Sequence, residues 1–211
     1  HKYLPEKESG IRNNLAFESL TLTPDGASLV TATENSLIQD GPKADLETKS
    51  ISRIIVFDLP SGAVHAEYAY QVEKVHKAPG IPGQLRTNGI VELLATDNNG
   101  TFLALERAYS AGRGFTVKLY EFSTENAKNI QDIPQLADST GRLMVTEEAL
   151  VDKIELLDFT VDLGIAPDNL EAMCFGPILG DGSRLLVVVS DNNFSSNQKT
   201  QFIFLKVNFA E

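Results

Sequence analysis

Cysteine is nearly absent, with Cys174 alone in 211 residues, which excludes an internal disulfide and any CxxC zinc cage. It sits in the apolar run Met173-Cys174-Phe175 and is expected to be a small core residue. Long hydrophobic runs are missing as well. No stretch approaches the roughly 18 to 20 apolar residues that cross a bilayer, and residues 1–10 lack the apolar core of a signal peptide. Secretion stays open, because a processed chain can have lost its leader. Basic residues are scarce: 18 stand against 29 acidic ones, for a formal charge of −11. The long-range field of such a chain repels nucleic acid and anionic lipid and attracts cations. There is no GxSxG elbow, Walker loop or GxGxxG, and His1, His65 and His76 stand apart from any repeated pattern, so a histidine triad is not expected.

What the chain does have is a succession of short β-prone runs, at 20–23, 28–32, 54–58, 64–70, 90–95, 102–106, 116–122, 154–159, 170–175, 185–190 and 201–207, separated by Pro, Gly, Asn and Asp. The pattern is all-β. Only "TEEALVDK" at 146–153 reads as helix, inside a polar insertion, and 73–88 reads as a long surface loop.

The runs repeat. "FESLTLTPDGASLVTATEN", "VELLATDNNGTFLALER" and "LEAMCFGPILGDGSRLLVVVSDN" share one plan of acid, apolar strand, Gly-containing turn, apolar strand, acid. The acids mirror about the turns: Glu18 and Glu34 about Gly26, Glu92 and Glu106 about Asn99, Glu171 and Asp191 about Asp181. Residues equidistant from an antiparallel turn face each other, about 4.5 to 5.5 Å apart at Cα. The spacing of roughly 75 to 80 residues suits four-stranded propeller blades, near 15–72, 89–160 and 168–208, within a single domain spanning 1–211. The last blade shows three strands. Three blades do not close a ring, so the exposed blade faces are expected to self-associate or to meet a companion chain.

Paired carboxylates repel, and a bound cation, a neighbouring Arg or Lys, or a raised pKa relieves them. Calcium, with its six to eight oxygen ligands, suits Glu18, Glu34, Glu92, Glu106, Glu171 and Asp191 if all converge on one channel mouth, with asparagines such as Asn13, Asn14, Asn169, Asn192 and Asn193 adding carbonyl oxygens. Arg12, Arg53, Arg107 and Lys153 are the candidate phosphate contacts. A purely structural reading stands beside this one, in which the acids cap turns or pair with Arg12 and Arg107.

"RNNLAFESLTLTPDG" (12–26), "VELLA" (91–95), "LER" (105–107), "DNLEAM" (168–173) and "SDNNFSSNQKTQFIFL" (190–205) resemble the bacterial phytase-like esterase domain family. The likeness runs from about Gly10 to Val207. It implies a β-propeller-like fold of about six blades, of which this chain would be the C-terminal two-thirds or so, often in secreted, periplasmic or cell-envelope proteins. It also implies hydrolysis of phosphate or other esters. The six acids then occupy the family's acidic positions, with Glu34 or Glu106 as general base and Arg12, Arg107, Asn14, Asn192 and Asn193 beside the substrate. Ser19 and Ala172 depart from the glycine that commonly follows the acid, each adding a side chain that would narrow the site. The other reading is a non-catalytic propeller that binds a ligand or a protein partner in the envelope, offering an aromatic rim of Tyr68, Tyr70, Tyr109 and Phe115.

Overall fold

A computed structural model describes residues 2–6 and 8–209; His1 lies outside them. Each of the eleven expected runs is a strand. β1 (Thr21–Leu22), β2 (Ser28–Ala32), β3 (Ser50–Asp58) and β4 (Ala63–Val72) form an antiparallel meander. β5 (Arg86–Ala95), β6 (Thr101–Ser110), β7 (Gly114–Ser123) and β8 (Asp152–Asp158) form a second, and β9 (Leu170–Ile178), β10 (Arg184–Ser190) and β11 (Phe202–Val207) a three-stranded third. The protein is all-β and its sheets are blade-like. The first strands sit together, β1 and β9 each touching β5, as the inner strands of neighbouring propeller blades do.

The middle sheet is buried on both faces, which is why β5 and β6 read as near-continuous apolar runs. Leu93, Phe102, Ala104 and Phe122 pack toward Val30, Ile54 and Tyr70 of the first sheet. Val91, Leu103, Leu105 and Val117 pack toward Leu170, Met173, Leu186 and Val188 of the third. Simple alternation would put Ile90 and Leu93 on opposite faces, yet both join the first core. A β-bulge between Ile90 and Glu92 supplies the extra residue that reverses the pleat.

Two expectations fail here for physical reasons. The 146–153 segment is no helix: Glu147–Ala149 make one 3-10 turn, Leu150 bridges Ala69 in parallel, and Asp152 begins β8. Eight residues seldom hold a helix alone, and here Leu150 and Val151 run extended along the otherwise open edge of β4, the Val151 N–H donating to the Ala69 carbonyl at 2.9 Å, while Ala149 is buried in the turn before them. Cys174 is exposed rather than buried. It pairs with Val187 and lies on the face of the third sheet turned away from the core, with Phe202 and Phe204, 62% and 63% exposed, on the same side.

Arg53, expected near phosphate, is instead completely buried. It holds Asp40 through two hydrogen bonds of 2.6 and 3.0 Å, Glu67 at 3.0 Å and the Ile133 carbonyl at 2.9 Å. Asp40 also accepts the Leu136 N–H at 3.0 Å, so the cluster pins the insertion after β7 to the first sheet. Arg53→Ala would leave the buried Asp40 without its cation, while Glu67 keeps Lys2 at 2.9 Å; a loss of about 3–5 kcal/mol is expected in urea denaturation, and an unchanged midpoint would contradict this role.

Candidate functional site

Three of the six acids meet. Arg107, on β6, donates from Nη1 to Asn169 Oδ1 and Glu171 Oε1, and its Nη2 lies 3.5 Å from Glu34 Oε1. Glu18 shares this field, its carboxyl raised by partial burial and held down by Arg107. Arg107 reaches the mouth because its cross-strand partner is Gly89. A Cβ at Gly89 would lie 2.5 Å from Glu34 Cγ and 2.8 Å from the Glu34 carbonyl oxygen, so the missing side chain is the space that Glu34 fills. Glu34 is 2% exposed. Its backbone bonds both ways, N–H to the Ala16 carbonyl at 2.6 Å and carbonyl to the Ile90 N–H at 3.0 Å, which fixes the side chain between β2 and β5. Burial pushes its pKa up to about 7 against the pull of Arg107, with Glu18 and Glu171 adding to the rise.

The other three acids are elsewhere. Glu106 pairs with Ile90 and points toward the first sheet, whereas Glu92 lies past the bulge, opposite Leu105, and points toward the third. Mirror symmetry about the turn fails because one extra residue reverses the faces. Glu106 is saturated by Tyr70 Oη at 3.0 Å, the Glu73 N–H at 3.0 Å, Asn88 Nδ2 at 3.0 Å and Lys153 Nζ at 2.6 Å. Lys153 is therefore also held away from the mouth, lodged over the rings of Tyr70 and Tyr120. Glu92 accepts the Leu93 N–H at 2.9 Å and hydrogen bonds from the Met173 and Leu20 backbone, joining the inner strands of two sheets to its own. Asp191 is exposed and closes a turn by accepting the Asn193 N–H at 3.0 Å.

Arg12 spends its guanidinium on the carbonyls of Ser36 and Gly41, at 3.0 and 2.6 Å, and Asn192 caps Phe194 N–H at 3.0 Å. Asn14 and Asn193 do line the mouth, both in the left-handed region at φ 58° and 48°, which asparagine tolerates better than most residues. Ser19 does not narrow the site: its Oγ accepts the Ala32 N–H at 3.1 Å, while Ala172 is exposed on the third sheet. Of the four rim aromatics, Tyr70 is buried, and Tyr109 and Phe115 line a cleft.

Two clefts open side by side. A polar one of about 420 Å³ holds Glu18, Glu34, Glu171, Lys43 and Asn13. A larger one of about 960 Å³ holds Tyr109, Phe115, Ala166, Pro167 and the 195–199 loop. Asn14, Leu85, Thr87, Arg107, Asn169 and Asn193 belong to both. At this junction Arg107 Nε, Asn169 Nδ2 and Thr87 Oγ1 are buried without a hydrogen-bond partner among the described residues. Buried donors left unpaired are costly, and all three belong to residues that line both clefts. Thr87 and Gly89 escaped notice in the sequence. The signal for Gly89 was there, since glycine inside a strand marks close backbone approach.

The residues as arranged do not fit a calcium ion. The central cation is Arg107, whose guanidinium already takes the oxygens of Glu171, Glu34 and Asn169, and the described residues contain no group of three His, Cys, Asp or Glu placed to hold a metal.

These features define a blade-built all-β protein with a donor-lined cleft between its inner strands. The chain belongs to the Phytase-like family, "esterase-like activity of phytase", whose model matches residues 1–194. The match begins before the expected Gly10 and takes in every residue of the junction, ending short of β11. No curated protein matches the chain. Among the described residues no helix is long and apolar enough to cross a membrane.

Two outcomes follow from this geometry. Gly89→Ala would drive a methyl into Glu34 and is expected to cost about 1–3 kcal/mol in chemical denaturation. For Glu92, burial lifts the folded pKa from 4.5 to about 7. The native state then keeps a proton that the unfolded chain releases near 4.5, so stability falls as pH rises from about 4.5 and levels off above about 7. Glu92→Gln removes that dependence, and its Tm relative to wild type should rise between about pH 5 and about pH 8; a flat difference would contradict the burial assigned to this carboxyl.

Proposed function

We propose that this phytase-like hydrolase cleaves esters at the junction beside Arg107, with Glu34 as general base. The observation that carries the reading is the set of three unpartnered buried donors, Arg107 Nε, Asn169 Nδ2 and Thr87 Oγ1, next to a carboxyl whose pKa lies near neutrality. Donors fixed before the reaction stabilise the charge that develops on an ester oxygen, at no reorganisation cost when it forms. Glu34 takes a proton from water, the water oxygen bonds to the ester's central atom, and the negative charge passes to the oxygen facing the donors. When the bond to the alcohol oxygen breaks, Glu34 returns the proton to the leaving group. A base with a pKa near the working pH is the efficient choice for both transfers.

Arg107 has a second task. Bonded to Glu171 and paired with Glu34, it keeps both carboxylates in the mouth and tempers the pKa rise that burial imposes on Glu34. In this reading the guanidinium takes the place expected for calcium, and no step passes through a metal. Glu106 takes no part, since both of its oxygens already accept hydrogen bonds.

Below about pH 7 Glu34 is protonated and cannot accept a proton, so kcat/KM for a p-nitrophenyl ester should climb with pH and level off above that value. Glu34→Gln should lower kcat/KM by about 10² to 10⁴ while the protein still unfolds cooperatively. A Glu34→Gln enzyme as active as wild type would overturn the assignment. A well-folded wild type without turnover on any ester would favour the non-catalytic binding propeller.

A further inference from the structure

We propose that the cleft of about 960 Å³ beside the junction is a subsite for the apolar, aromatic-sized group of an uncharged carboxylic ester, so that the site selects apolar esters over phosphate monoesters. The inference rests on the hydrolytic reading above and adds the class of substrate to it.

The wall carries the first part of the case. Tyr109 and Phe115 pair across β6 and β7 with ring centroids 5.0 Å apart, tilted by 49°, and both line the cleft. Leu85, Ala166 and Pro167 extend the apolar surface. The volume lies within the usual range of small-molecule sites. The rest of the lining is polar, including Asn193, Ser195, Asn197, Gln198 and Lys199, so the apolar contact falls to the part of the wall built by Tyr109, Phe115, Leu85, Ala166 and Pro167. The far wall is fixed in place: Asp168 accepts the Lys199 N–H at 2.9 Å, and its own N–H donates to Gln201 Oε1 at 2.6 Å.

Position carries the second part. Asn169, 3% exposed, has its Nδ2 unpartnered, and it belongs to both clefts together with Arg107 and Thr87. An ester whose oxygen is held there has Glu34 on one side and the aromatic wall on the other.

Charge decides between substrates. The two clefts gather Glu18, Glu34, Glu171 and Asp168 against Arg107, Lys43 and Lys199, and Arg107 is already engaged by two of those acids. A phosphate dianion entering a chain of net charge −11 would meet four carboxylates against three cations in these clefts, with Arg107 already paired to Glu171 and Glu34. An uncharged ester meets no such repulsion.

The test uses the whole chain and 2-naphthol as an uncharged probe, followed by its fluorescence, with inorganic phosphate as competitor. Wild type and Glu34→Gln should bind 2-naphthol alike, and phosphate should not displace it. Phe115→Ala should weaken binding about tenfold, the loss of one aromatic contact with its burial. Leu85→Asp, at a side chain 64% exposed where folding should be undisturbed, should weaken it as much. Both variants should also lower the ratio of kcat/KM for 2-naphthyl acetate over methyl acetate about tenfold. Binding that neither variant changes, or preferential turnover of p-nitrophenyl phosphate, would overturn the subsite. Naphthol binding with the expected variant effects but no ester turnover would uphold the apolar subsite and count against the hydrolytic reading.

Discussion

Arg107 stands among Glu18, Glu34 and Glu171 at the mouth, and its contacts tie the inner strands of the three sheets together. The guanidinium binds Glu171 of the third sheet, faces Glu34 from the first and stands on the second. It is thus a tie between blades as well as the cation of the site. Its reach depends on Gly89, since any side chain there would occupy the space of Glu34. Packing and chemistry cannot be separated at this point. The close approach that holds the first and second sheets together is also what buries Glu34 and lifts its carboxyl toward neutrality.

The bulge in β5 divides the labour among the remaining acids. With regular pleating, Glu92 and Glu106 would share a face and repel; with one extra residue each acquires its own surroundings. Glu106 gathers Tyr70, Asn88 and Lys153 on the side of the first sheet. Glu92 takes backbone donors from Leu20 and Met173, fastening β1 and β9 to β5. The carboxylates that recur along the sequence therefore answer one problem, the crowding of inner strands, in three ways: by a guanidinium, by a lysine with neutral donors, and by main-chain N–H groups.

The fold was legible in the sequence because its signals are local. Alternating apolar runs and Gly-containing turns located all eleven strands, and Ser28–Ala32 matches to the residue. Local signals misled where tertiary contacts outweighed them. The run at 146–153 reads as a helix, but the edge of β4 takes Leu150 and Val151 as extended chain. Cys174 was read as core because its neighbours are apolar, yet strand alternation turns it outward while Met173 turns in. The site was half legible. Glu34 and Glu171 pair with Arg107, with Glu18 beside them, as the structural reading of the acids expects, whereas Arg12 goes to carbonyls, and Arg53 and Lys153 to acids, that sequence spacing could not reveal. Thr87 carries no mark in the sequence at all, because an unpaired hydroxyl is a property of its surroundings.

That distinction bears on what the junction can hold. A carboxylate cluster attracts any cation, and by itself it says little about a substrate. The buried donors of Arg107, Asn169 and Thr87 say more, because each has lost water and none is repaid within the fold. An oxygen that reaches any of them restores a missing hydrogen bond, and a full negative charge there would gain most. Yet the surrounding acids oppose a group that arrives already charged. The arrangement is therefore best matched to an oxygen that is neutral on arrival and becomes negative during reaction, which is the charge history of an ester attacked by water.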